Sequence, residues 1–305
     1  MDPALAAAYA RCRALHRRHG RSYYLATRLL PAGKRRHVHA LYGFTRYADE
    51  IVDRADGLAT AERARRLRDW SDRFLAGLAG ERVDDPLLPA VLHTIEVFAM
   101  DPADFATFLQ SMAMDLEVRD YAGYDDLLSY MEGSAAAIGA MMLPILEPAD
   151  RALAREPARQ LGLAFQLTNF IRDVGEDLDR GRVYLPRADL EKFGVTRADL
   201  RAAADRRAAS PSIKDLIGYE VTRARAHYAA AAPGVPMLAP ASQACIRAAF
   251  HLYGGILDEV ERAGHDVFAR RAVVPHRRRL ATVARCLLTP PGTPVGLPTA
   301  RAPRV

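Results

Sequence analysis

Gln166, Asn169, Asp173 and Asp177 lie three, four and four residues apart, a spacing that stacks all four side chains on one face of a helix. No other feature of the chain narrows its fold as much. Asp173 and Asp177 become i,i+4 neighbours, and like charges so placed destabilise a helix unless something compensates them. Two carboxylates about 5 Å apart repel by about 3 kcal/mol at an effective dielectric of about 20. A hard divalent cation removes that penalty, and Mg²⁺ typically takes one or two carboxylates together with phosphate oxygens. Arg172 lies at the side of the stripe, within reach of such a phosphate. A lone D-x-x-x-D is more often a solvated acidic face. Here an amide pair precedes the acids, and Leu161, Leu163, Ala164 and Phe165 form an apolar run that buries the other side of the helix.

A second copy of the arrangement sits in YGFTRYADEIVD, Tyr42 to Asp53. Tyr42, Arg46, Asp49 and Asp53 share one helical face, and His39 extends it a turn back. By itself this motif is more often an i,i+3 Arg–Asp surface pair than a site. Two such helices facing each other across a bundle would place four carboxylates around a shared cavity, the usual position of metal sites in helical bundles. The ligand that suits them is a diphosphate carrying several Mg²⁺ ions.

At 305 residues, half of them hydrophobic, the chain can bury a full core. Ala-rich stretches favour helix, and neither long β-branched alternation nor Asn-Gly turns are present. The expectation is an all-α chain, one helical domain over residues 1–288 around a central cavity, with a Pro-rich disordered tail over 289–305. The net charge is +6 and is carried almost wholly by arginine, including Arg270-Arg271 and Arg277-Arg278-Arg279. No nucleic-acid motif surrounds these runs, which leaves an anionic substrate or an anionic membrane surface. Cys12, Cys245 and Cys286 are far apart and unpaired by spacing, as in a reducing cytoplasm. The N-terminus reads as neither a signal peptide nor a membrane span, so a cytoplasmic protein, soluble or peripheral, is expected.

Along the chain, helices are expected over 3–19, up to Leu30, from Lys34 to Arg54 with Asp56-Gly57 ending it, over 60–79, up to Phe98, and from Asp101-Pro102 through Asp115. Asp125 is expected to cap a helix that carries Tyr130 and the small-residue run Gly133–Gly139. That run implies close helix approach, a slim wall for a long apolar ligand, or both. Pro211–Ala231 and Pro240–Arg262 read as further helices, the latter with Tyr253. The helix over 60–79 reads as a solvated outer face without chemistry.

LYGFTRYADEIVD, SYMEGSAAAIG, FQLTNFIRDVGEDLDRGRVYLP and LYGGILDEV together resemble the squalene/phytoene synthase family, the head-to-head trans-isoprenyl diphosphate synthases, from about Arg21 to Leu280. GRSYYLATRLLP and HALYGF are most similar to its bacterial phytoene-forming members. The resemblance implies an all-α isoprenoid-synthase fold in which Asp49 and Asp53 bind Mg²⁺ from one wall, and Asn169, Asp173 and Asp177 from the other, with Mn²⁺ as a substitute. It implies diphosphate contacts at Arg21, Ser22, Arg46, Gln166, Asn169, Arg172, Arg270 and Arg278. It puts Tyr42, Arg46, Tyr130, Gln166, Arg172 and Tyr253 at the reaction centre. One departure is Glu50 beside Asp49, where many relatives have a second aspartate; Glu50 points off the acidic stripe, so little loss is expected. Another is that a C-terminal lysine of some relatives is represented by Arg277–Arg279.

The activity so implied is condensation of two allylic diphosphates through prephytoene diphosphate to phytoene, without NADPH. Thr27 and His39, smaller than the aromatics of C15-using relatives, favour the C20 substrate; His39 is equally readable as a packed histidine. Three other readings stay open: a squalene or dehydrosqualene synthase using the C15 substrate, a terpene cyclase on the same fold, and a non-catalytic lipid-binding scaffold. Because a C40 product is insoluble in water, reversible peripheral membrane contact is also expected.

Overall fold

The computed structural model describes residues 2–53 and 58–297, and within them the chain is helical throughout, with no strand. Arg54, Asp56 and Gly57, expected to end the first motif helix, lie outside the described residues. The helices are α1 (Pro3–His19), α2 (Arg21–Thr27), α3 (Ala32–Asp53), α4 (Thr60–Leu78), α5 (Leu88–Phe98), α6 (Pro102–Glu117), α7 (Tyr124–Met131) and α8 (Ala137–Leu146). They continue with α9 (Arg151–Asp179), α10 (Arg187–Lys192), α11 (Arg197–Arg206), α12 (Pro211–Ala231), α13 (Pro240–Arg262) and α14 (His276–Leu288). Capping fixes several starts. Asp101 accepts from the Ala103 N–H, Ser210 from the Ile213 N–H, and Asp150 from those of Ala152 and Leu153, each satisfying donors that a helix leaves free. Asp125 is not the cap expected of it. α7 begins one residue earlier, and it is Asp126 that reaches back, 2.9 Å from the Gly123 N–H.

The two motif helices occupy different halves of the core. α9 packs on α8, α12 and α13, and with them holds Leu163, Leu167, Ile171, Leu216, Tyr228 and Phe250. α3 packs on α1, α4, α5 and α6 around Phe44, Trp70, Phe74 and Phe105. Phe165 on α9 and Ile246 on α13 are only partly buried and touch both clusters, so the halves meet along an apolar seam that solvent reaches.

The small-residue run gives close helix approach. A β-carbon at Gly139 would lie 2.2 Å from the Ala158 carbonyl oxygen, and one at Gly162 would lie 2.3 Å from that of Ala135. α8 and α9 therefore pass nearly backbone to backbone, where any side chain would overpack the contact. Between α7 and α8 the run widens into a π-helical turn, Glu132–Ala136, where Ser111 donates to the Tyr130 carbonyl at 3.0 Å; such turns are frequent at functional sites.

Residues 289–297, part of the segment expected to be disordered, are seated on α13. The Gly292 N–H donates to Gln243 Oε1 at 2.7 Å, Arg247 donates to the Thr293 carbonyl at 2.7 Å, and Val295 is buried. One apolar anchor, Val295, and two hydrogen bonds between α13 side chains and the backbone outweigh the Pro-rich composition there.

Candidate active site between α3 and α9

α3 supplies one acidic wall. Asp49 and Asp53 project from its last turns, and burial, then the neighbouring Asp53 charge, pushes the Asp49 carboxyl up to about 8. Glu50 is off this row, as its position a quarter-turn away requires, and shares a row with Arg46, four residues earlier. The two pair at 3.3 Å, and His19 lies 3.5 Å from the same carboxylate. Glu50 thus holds Arg46 beside the acidic row. Tyr42 stacks on His16 with ring centroids 4.1 Å apart and planes 9° from parallel.

α9 supplies the other wall. Arg172 Nε donates to Asp173 Oδ1 at 2.7 Å, and a second guanidinium nitrogen bonds Oδ2. Arg271 donates to the same Oδ1 at 2.8 Å. Burial would raise the Asp173 carboxyl, but these guanidinium hydrogen bonds outweigh it and hold the group below the usual carboxylate range. Asp177 has no comparable partner. Its nearest cation, Arg180, is 3.8 Å away, and burial followed by the Asp173 charge lifts it to about 7. Gln166 is half-buried on the same face, and the buried Asn169 Oδ1 accepts no hydrogen bond.

The walls are joined by residues the motif spacing did not single out. Gly181, at φ +77°, turns the chain back after α9, so that the Arg182 N–H meets the Asp177 carbonyl at 2.9 Å. Val183 then pairs with the chain beyond α6, its N–H 3.0 Å from the Arg119 carbonyl. In extended chain, alternate residues face one way, and Arg182 and Tyr184 both reach Asp115 on α6. Tyr184 donates to Asp115 Oδ1 at 3.1 Å and Tyr130 to Oδ2 at 3.0 Å. Arg182 bonds Asp53 Oδ1 at 2.6 Å and lies 3.8 Å from Asp115 Oδ2. Arg182 and Tyr184 stand inside the GRVYLP run, whose Gly was the available signal; for Asp115 no spacing marked a site.

Above the second wall, Tyr253 stacks on Tyr23 at 4.3 Å, and Phe165 lies 4.7 Å from Tyr253. This aromatic group lines the seam between the core halves. Arg21 opens α2 at the surface with Ser22 half-buried beside it. Of the C-terminal arginines, the expectation named Arg270 and Arg278, and here the structure differs. Arg271 is the one on the acidic wall. Arg270 lines an adjoining surface cleft, and Arg278 is taken up by Glu259 and by Asp258, 3.6 Å away on α13. α14 turns Arg278 that way. His39 is buried against His16, Nδ1 to Nδ1 2.9 Å, and Thr27 Oγ1 bonds the Tyr23 carbonyl at 2.8 Å. His39 is a packed core histidine, so it carries no argument about substrate length.

The donor chemistry fits Mg²⁺: hard oxygens only, an unpartnered amide oxygen at Asn169, and two carboxyls, Asp49 and Asp177, that burial and like charge keep from ionising readily. Among the described residues no three acidic, histidine or cysteine side chains are gathered at ligand spacing. Each wall can offer one or two carboxylates, and the rest of a coordination shell would come from a diphosphate and water.

The sequence profile described as squalene/phytoene synthase matches residues 16–278. The chain is 34% identical over 285 residues to a phytoene synthase of Arthrospira platensis, covering 89% of this chain and 90% of that one. It is 34% identical over 284 residues to the 15-cis-phytoene synthase of a Synechocystis strain, covering 90% and 82%. Among solved structures, a liganded dehydrosqualene synthase superposes with a TM-score of 0.84 at 28% identity, covering 92% of this chain and 96% of that one. A squalene synthase from Alicyclobacillus acidocaldarius gives 0.76 at 26% identity, covering 87% and 97%. With the profile spanning both acidic helices and the curated relatives aligned over nearly their whole length, this chain belongs to the squalene/phytoene synthase family.

Proposed function

We propose that this chain is a phytoene synthase that joins two molecules of a C20 allylic diphosphate, geranylgeranyl diphosphate, head to head. The observation that carries the reading is the 34% identity to phytoene synthases over about nine-tenths of the chain. Arg46, Arg172 and Arg271 neutralise diphosphate oxygens beside the two walls. Asp49 and Asp53 on one side and Asn169, Asp173 and Asp177 on the other would hold Mg²⁺, which would supply Lewis acidity and a template for the leaving group. Loss of one diphosphate leaves an allylic cation. The double bond of the second molecule attacks it, a proton departs, and a cyclopropylcarbinyl diphosphate forms. Its own ionisation, rearrangement and proton loss give phytoene. Substrate chains lying along the seam lined by Tyr23, Phe165 and Tyr253 displace its water and keep it from the cations, and an aromatic face contributes about 2 kcal/mol to a desolvated cation.

Purified protein given Mg²⁺ and either the C15 or the C20 diphosphate, with and without NADPH, is expected to yield a C40 hydrocarbon from the C20 substrate, unchanged by NADPH. A C30 hydrocarbon made from the C15 substrate alone would replace this reading with the second one, a dehydrosqualene or squalene synthase. The solved neighbours favour that second reading.

Peripheral membrane contact belongs to the same proposal. No described helix is long and apolar enough to cross a membrane. Yet the outward face of α14 carries Leu280, Ala281, Ala284, Leu287 and Leu288, the last 84% exposed, flanked by exposed Arg277 and Arg285. An apolar stripe with basic flanks suits an anionic lipid surface, where a C40 product leaves without entering water. Co-sedimentation with anionic vesicles at low salt is expected for the native chain. It should be lost on Leu287→Glu with Leu288→Glu. Equal binding by both forms, or none by the native chain, would refute the contact.

A further inference from the structure

Acidic residues of two helices, α3 and α6, meet at one guanidinium, and an acidic residue of a third, α9, holds the same arginine by its backbone. Arg182 is 6% exposed. It donates to Asp53 on α3 at 2.6 Å and to the Asp115 carbonyl on α6 at 3.2 Å, and its own N–H is held by the Asp177 carbonyl of α9 at 2.9 Å. Its Nε is buried and has no hydrogen-bond partner. The residue with the most central positive charge in the site thus spends one of its bonds on an aspartate that the proposed function needs for a cation, and keeps another donor unspent.

We propose that Arg182 is a resident counter-ion: it holds Asp53 while no divalent cation is bound, and yields it when a cation enters together with a diphosphate. The proposal rests on the reading of Asp53 as a cation ligand. An empty site of this kind collects buried carboxylates that repel one another, and a buried charge needs a paired partner. Arg182 supplies that partner without any ligand. A cation arriving alone must settle on Asp53 against the guanidinium's own positive charge, so it binds weakly. A diphosphate arriving with it offers the released guanidinium new acceptors, including one for Nε. Cation and diphosphate then strengthen each other's binding by the same factor, as linkage requires.

Mn²⁺ binding to the full chain, followed by electron paramagnetic resonance with inorganic diphosphate as the second probe, tests this without turnover. For the native chain, diphosphate is expected to tighten Mn²⁺ by about tenfold or more. Arg182→Gln is expected to bind Mn²⁺ alone about tenfold more tightly than the native chain, with the gain from diphosphate reduced to match. The same variant should melt lower than the native chain in EDTA and recover in Mn²⁺. Arg182→Lys keeps the charge and should keep the weak binding of Mn²⁺ alone. If the native chain binds Mn²⁺ equally with and without diphosphate, the proposal is overturned, and this holds even if Arg182→Gln does not fold. It is overturned also if Arg182→Gln leaves Mn²⁺ affinity unchanged or weaker, or melts lower by the same margin with and without Mn²⁺, which would mark Arg182 as a packing residue. If Asp53→Asn binds Mn²⁺ with diphosphate as well as the native chain does, it is the reading of Asp53 as a ligand that fails.

Discussion

Asp177→Asn is expected to make the metal-free protein more stable at pH 8 and Asp173→Asn to make it less stable, although both should cut turnover by about 10²-fold or more. The two aspartates are one helical turn apart with similar burial, and they differ in their partners. Asp173 accepts from Arg172 and Arg271, and hydrogen bonds to charged groups are worth about 1.5–3 kcal/mol. Losing them costs stability, with part offset because Asp177 is relieved of a neighbouring charge. Asp177 stands against burial and the Asp173 charge, which lift its carboxyl from 3.8 to about 7. At about 1.4 kcal/mol per pKa unit, removing that ionisation should return about 1–3 kcal/mol. The sign follows from proton uptake. A carboxyl whose folded-state pKa is raised binds more protons folded than unfolded between 3.8 and about 7, so its contribution to stability falls as pH rises through that window. The advantage of Asp177→Asn should therefore be full at pH 8 and absent near pH 4. Urea titrations in EDTA at both pH values measure it. Equal destabilisation by the two variants at pH 8 would show that the partners do not decide their energetics.

The largest loss of stability is expected at Asp115, outside both acidic motifs. This buried carboxylate accepts from Tyr130 and Tyr184 and lies beside Arg182. Asp115→Ala leaves a buried guanidinium short of counter-charge and two hydroxyls without an acceptor, and breaking a buried pair from one side costs about 3–5 kcal/mol. Tyr184→Phe removes a single hydrogen bond and should cost about 1 kcal/mol. Denaturation midpoints at unchanged urea slope separate the two. A loss under about 1 kcal/mol for Asp115→Ala would mean that water or a neighbour replaces the carboxylate.

Composition and helix start and stop residues determined the helical class and the extents of α1, α12 and α13, and periodicity the shared faces of Tyr42, Asp49 and Asp53 and of Gln166, Asn169, Asp173 and Asp177, because a helix maps sequence spacing directly onto a surface. The motifs that resembled a known family were local in the same way. What the tertiary structure decided were contacts between segments far apart in the chain. Nothing in the spacing of RRAVVPHRRR says that Arg271 bonds Asp173 while Arg278 bonds Glu259; the path of the chain into α14 settles that. His39 lay on a promising face, yet α1 places His16 against it. Composition marked residues 289–297 as unstructured, whereas Gln243 and Arg247 hold them. The union of Asp53, Asp115 and Asp177 at Arg182 depends on a left-handed turn at Gly181 and on where α3, α6 and α9 cross. Helical spacing fixes which side chains point the same way, whereas the packing of helices decides which of those faces meet.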